Sequence, residues 1–287
     1  MELLRTLGVL AEAPGPAQAR LAAAAGLPAP PDDAAHTELF RFQLPPYASI
    51  YLGSRGMLGG EARDRIAGFW RALQATPPPE PDHLATLLAA HASLVERDAA
   101  AGGASPWRAA RHAFFWEHLA SWLVPYLARI VELGEPFHRA WARALEAALA
   151  AEAALLGPPT APPAHFAAAP PVAADSAEAL LDAVLAPARS GVILTRRDLQ
   201  AGARRLEVGL RQGERRFALT WMLRQDPRGT LAWLAEEAAR QAAAGSLSWS
   251  PPGFITAHWQ DRARETARIL GGAAREAPSP DQEVVHA

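Results

Sequence analysis

The sequence predicts an all-α fold. Apolar residues recur at i, i+3, i+4 and i+7 along successive stretches, which lays them on single helix faces. Strand-like alternation never runs longer than about four residues. Proline and glycine cluster between the periodic stretches, where helices stop.

The elements follow in order. Leu3, Leu4, Leu7 and Leu10 form one stripe, stopped by Pro14-Gly15-Pro16. Ala17 to Ala25 forms a second short helix, closed by Gly26 and the prolines after it. His36 to Tyr51 is apolar and aromatic but broken at Pro45-Pro46, which predicts a helix, a turn and a short further piece. Ile66, Phe69, Trp70 and Leu73 share a face, and so do Leu84, Leu87, Leu88, His91, Leu94 and Val95. Phe115, His118, Leu119, Trp122, Tyr126, Ile130 and Leu133 continue the rhythm across Pro125, which predicts a bend near Trp122. Phe137, Trp141, Leu145 and Leu149 form an i+4 ladder.

Gly157 to Pro171 is rich in proline and alanine with little to bury, and residues 157–174 read as a linker. Residues 175–270 read as a C-terminal helical lobe. Asp175-Ser176 suggests one cap, and Thr195 with Asp198 a second. Helices are expected around Phe217 to Leu223, Leu231 to Ala244 and Trp259 to Leu270, then a disordered polar tail over 271–287.

Composition narrows the chemistry. The 287 residues are half apolar and carry a formal charge of -2, so no strongly charged partner is implied. The absence of cysteine excludes disulfides and thiolate metal sites, and the absence of lysine excludes Schiff-base and P-loop lysines. No apolar run reaches the roughly 18 residues of a membrane span, and the N-terminus lacks the charge order of a signal peptide, so a cytoplasmic location is expected. No hydrolase, zinc-protease, Walker or dinucleotide motif is present. No metal is expected at His112, Glu117 and His118, because His112 and His118 would face opposite sides of a helix.

The most informative stretch is Thr76 to Leu84, a stiff proline-led arm entering a helix. Asp82 fits an N-cap there. The same arm would hold Glu80, Asp82 and His83 at a groove rim.

Glu80-Pro81-Asp82-His83-Leu84 opening an amphipathic helix resembles the signature of the TorD/DmsD/NarJ-type chaperones for redox-enzyme maturation. The aromatic block from Leu39 to Leu52 and the helix Phe115 to Pro125, of the form F-x-x-H-L-x-x-W-x-x-P, are similar to that family as well. The resemblance covers residues 1–156 and implies a multi-helix TorD-like bundle, with the C-terminal lobe as an addition. It implies a cytoplasmic chaperone without enzymatic activity. Its partner would be the twin-arginine signal peptide or apo-form of a molybdenum oxidoreductase, held until molybdopterin is inserted. No cofactor would be stably bound, since molybdopterin belongs to the client. A bound nucleotide, and the choice between monomer and helix-exchanged homodimer, stay open.

Carried over by position, Glu80, Pro81, Asp82, His83 and Leu84 match the peptide-binding motif. Glu80 and Asp82 would pair a guanidinium, and Tyr47, Tyr51 and Trp70 would line the apolar part of a helix-binding groove. His118 and Trp122 complete the candidate set in a more architectural role. Two other readings compete. The arginines between Thr195 and Arg228 would suit a helical nucleic-acid-binding regulator. Asp82 and His83 as an acid/base pair would suit a small-molecule enzyme, although adjacent helical residues diverge by about 100°.

Overall fold

Proline-stopped amphipathic stretches fold here into helices throughout. The computed structural model describes residues 2–102, 105–173, 176–211, 213–244 and 253–278. Among them there is no β-strand, only one isolated antiparallel bridge between Tyr47 and His83. The chain divides into two compact units.

The first unit holds α1 (Glu2–Val9), α2 (Pro16–Ala24), α3 (Asp33–Thr37), α4 (Ala48–Leu52) and α5 (Gly60–Ala72). It continues with α6 (Leu84–Ala101), α7 (Pro106–Phe114), α8 (Ser121–Leu133), α9 (Pro136–Leu156) and α10 (Ala164–Ala168). The face of α6 read from sequence is fully in the core, as is the α9 ladder. Trp141 on that ladder donates to the carbonyl of Leu7, fastening α9 to α1 at 2.8 Å. The α1 stripe is narrower than expected: Leu4, Leu7 and Leu10 are buried while Leu3 is exposed, because Gly8 and Ala11 complete the packed face instead. A Cβ on Gly8 would meet the Ala85 backbone at 3.3 Å, so glycine here sets how closely α1 approaches α6.

The disturbance expected around Pro125 is a π-helical turn over Phe115–Ala120, directly before α8. Side chains take up the carbonyls of that turn. Ser121 Oγ donates to Glu117 O at 2.6 Å, and Trp122 Nε1 donates to His118 O at 2.9 Å. A second π-helical turn, Glu38–Gln43, precedes Pro45.

A buried charge cluster ties α6, α7 and α9. Arg111 bonds both Glu152 oxygens at 2.6 Å and Asp98 at 3.0 Å, and His91 Nε2 donates to Glu152 at 2.8 Å. Burial opposes ionisation of Glu152, but the His91 and Arg111 hydrogen bonds outweigh it and hold its pKa at about 2.

The stretch expected as a linker contains α10, whose His165 and Phe166 are buried. Its residue 174 lies outside the described residues, as does Asp175 of the expected cap.

The second unit holds α11 (Ala177–Leu185), α12 (Pro187–Ser190), α13 (Arg196–Arg205), α14 (Arg215–Gln225), α15 (Pro227–Ala243) and most of α16 (Gly253–Glu276). Ser176 caps α11 through Ala179 N. Thr195 and Asp198 form a reciprocal capping box on α13, the pair the sequence singled out. The core gathers Leu181, Val184, Leu199, Leu219, Met222, Trp233 and Leu270. α16 runs to Glu276, six residues beyond the expected helix end at Leu270, because Ala274 is still buried. The expected disordered tail is therefore helical over its first six residues, and 279–287 lie outside the described residues.

Candidate functional site

The proline-led arm does not end in an Asp82 cap. His83 is the N-cap of α6, its Nδ1 accepting from Ala85 N at 3.3 Å. Asp82 is 2% exposed and turns the other way. Its carboxylate faces the start of α4, 3.4 Å from Ser49 N, with Arg63 Nε at 4.0 Å.

The motif and the upstream aromatic block are one structural unit. Ala48 N donates to Asp82 O at 3.0 Å and Leu84 N to Pro46 O at 2.8 Å, so Pro46-Tyr47-Ala48 pairs backbone to backbone with Asp82-His83-Leu84. Tyr47 OH donates to Glu80 Oε1 at 2.7 Å, and its ring meets His83 edge-on at 4.8 Å. Arg63 donates to Pro79 O at 3.0 Å, pinning the arm itself. Burial, then the hydrogen bond to Glu80, pushes the Tyr47 hydroxyl up to about 12, and burial lowers His83.

Beside this loop lies an apolar groove of about 530 Å³. The sequence-assigned face of α5 is its wall rather than core: Phe69, Trp70 and Leu73 line it, and Ile66 alone of that stripe is fully buried. The floor is the α6 face of Ala85, Ala89, Ala90 and Ser93, and the other side is closed by Arg5 and Val9 of α1 and by Glu12 just beyond it. Trp70 Nε1 is buried with no hydrogen-bond partner among the described residues.

The ten candidate residues separate accordingly. Glu80 is exposed, and Tyr47, His83 and Trp70 are half-buried, leaving surface for a ligand. Pro81, Asp82, Leu84, Tyr51, His118 and Trp122 are buried. The Asp82 carboxylate is thus spent on α4 and Arg63, which corrects its assignment to a ligand guanidinium. Tyr51 stacks on Trp122 with centroids 5.2 Å apart and donates to Pro45 O, holding the loop from behind.

His118 belongs to a buried chain that the sequence did not show. Arg65 Nη1 lies 2.7 Å from His165 Nδ1, and His165 Nε2 lies 3.1 Å from His118 Nδ1. A guanidinium only donates, so His165 accepts at Nδ1, carries its proton on Nε2 and donates to His118. Burial holds both rings neutral, with pKa values lowered to about 2 for His165 and about 4 for His118.

Sequence reasoning also missed Glu12 and the small floor of α6. Glu12 reads as a solvated residue at an ordinary helix end, and Ala89 is one alanine among many. The i, i+4, i+8 spacing of Ala85, Ala89 and Ser93 was the available signal.

In the second unit most of the arginine run is engaged. Arg205 pairs with Glu236 and Arg216 with Glu178 and Asp182. Arg215 donates to Leu194 O, and Arg211 lies over the rings of Phe217 and Trp221. Asp82 and His83 also make separate contacts rather than a dyad.

Residues 21–128 match the family model described as the nitrate reductase delta subunit. This segment, 108 of the 287 residues, is similar to the NarJ/TorD-type chaperone family. The family is one of molybdoenzyme maturation chaperones that bind the enzymes' catalytic subunits. The matched segment carries both motifs and the groove walls of α5, α6 and α7, and ends within α8. No curated protein and no solved structure shows significant similarity to the chain. No helix among the described residues is long and apolar enough to cross a membrane.

Proposed function

We propose that this chain is a cytoplasmic chaperone that binds the twin-arginine signal segment, or the apo-form, of a molybdenum oxidoreductase and keeps it competent for molybdopterin insertion before export or assembly. The observation that carries this reading is the apolar groove whose end at the start of α6 is rimmed by carboxylates. Glu12 lines the groove, and both Glu12 and Glu80 act electrostatically on His83. An arginine-led apolar segment matches that arrangement: its guanidinium groups form charge-assisted hydrogen bonds at the rim, and its apolar side chains leave water in the groove. The chain uses no cofactor of its own in this reading, and the molybdopterin stays with the client.

The test is calorimetric titration with a synthetic peptide carrying a twin-arginine motif followed by an apolar run. Glu12→Ala with Glu80→Ala is expected to weaken binding about tenfold or more, as for loss of charged hydrogen bonds. Absence of binding, or binding indifferent to both substitutions, overturns the reading.

A further inference from the structure

We infer that His165, which lies outside the segment matched to the family, is a positioning residue for the groove: carried on a strap docked against the π-helical turn before α8, it sets the His118 ring that backs the groove wall. Strap docking and groove occupancy therefore strengthen each other. The inference rests on the reading of the groove as a client-binding site and adds control of that site from elsewhere in the chain.

The strap is residues 157–168, which leave α9 through a proline-rich lead and end in the single turn of α10. Pro163, His165 and Phe166 are buried, whereas Thr160, Ala161, Pro162 and Ala167 are exposed. One turn of helix is not stable by itself, so its place is set by what holds it. Three consecutive residues inside the Phe115 to Pro125 motif do this. Trp116 Nε1 donates to Gly157 O at 3.1 Å, and Glu117 Oε2 accepts from Ala164 N at 2.8 Å. His118 Nδ1 accepts from His165 Nε2 at 3.1 Å, and Arg65 on α5 donates to His165 Nδ1 at 2.7 Å. Trp116 and Glu117 fill open positions of F-x-x-H-L-x-x-W-x-x-P, so two of these contacts come from residues the motif does not specify.

His118 is where the strap meets the groove. A histidine ring turns about a soft torsion, and a hydrogen bond at one nitrogen fixes its plane. Phe69 and Phe114, which line the groove, meet the His118 ring edge-on at 5.3 and 5.4 Å and each other at 5.1 Å. Rings packed this closely have no void to absorb a rotation, so turning His118 moves the wall. Arg65 gives a second route, since it stands four residues before Phe69 on α5, one turn away on the same face. Phe69 is half-buried, and a ligand in the groove covers its open side and fixes it against His118. Ordering one side of a shared contact lowers the cost of ordering the other. The coupling is positive and acts in both directions.

Amide hydrogen exchange on the full chain reads the strap, and calorimetric titration with the synthetic twin-arginine peptide reads the groove. Saturating peptide is expected to slow exchange over Ala164–Ala168 about fivefold. In the free protein, Phe69→Leu is expected to speed exchange of the same amides about threefold. His165→Phe keeps a ring but neither hydrogen bond, and is expected to weaken peptide binding about fivefold. His165→Gln keeps a donor that reaches His118 and is expected to recover most of that loss. Peptide binding that leaves strap exchange unchanged overturns the inference and leaves the groove reading standing; so does unaltered affinity in His165→Phe. Equal losses in His165→Phe and His165→Gln assign His165 to packing alone and overturn the positioning role. If the peptide does not bind the unsubstituted chain, the reading of the groove falls, and this inference with it.

Discussion

At the scale of single residues, the site depends on which polar groups are already partnered. Tyr47 donates to Glu80, and its raised pKa means the folded state prefers the neutral phenol. Stability from this group is full below the ordinary tyrosine value of about 10 and is lost as pH rises through about 12. Ultraviolet titration should show a tyrosinate step near pH 12 in the native protein that Tyr47→Phe removes. Glu152 behaves in the opposite sense. Its pKa near 2 lies below the unfolded value, so its contribution is present above about pH 4.5 and lost as pH falls toward 2. Glu152→Gln should cost about 3–5 kcal/mol near neutral pH, since it strands a buried Arg111 and His91. Denaturant melts should show that penalty shrinking as pH is lowered.

At the scale of elements, caps and close approaches decide the energetics. Thr195→Ala removes one half of the capping box on α13 and should destabilise the second unit by about 1 kcal/mol. Gly202→Ala should cost more, about 1–3 kcal/mol, because the added Cβ would sit 2.4 Å from the Trp233 ring. Chemical denaturation of both variants checks the order. The helices themselves were legible in the sequence, because their period and proline stops are local. The α9 ladder and the α6 face read there are the buried ones. The α5 stripe was legible as a helix face but not as a groove wall, since period alone does not tell whether another helix covers it. Asp82 shows the same limit. A carboxylate before a helix reads as its cap, and only the α4 segment, more than thirty residues earlier in the chain, draws it away.

For the whole molecule, two units carry different parts of the argument. The first contains the family match, both motifs and the groove. In the second, carboxylates, a carbonyl and aromatic faces occupy Arg205, Arg211, Arg215 and Arg216. A gel-shift titration with duplex DNA at low salt is therefore expected to give no retarded band; steeply salt-dependent retardation would revive the nucleic-acid reading.

The sequence by itself determined the all-helical class, the helix stops, the capping box and the family motif, because each depends on residues within a few positions of one another. Tertiary structure decided what those motifs face. It paired Pro46 with Leu84, turned Asp82 inward, joined His118 to His165 and left Phe69, Trp70 and Leu73 open beside Glu12. Such contacts depend on chain segments distant in sequence, and local periodicity carries no information about them.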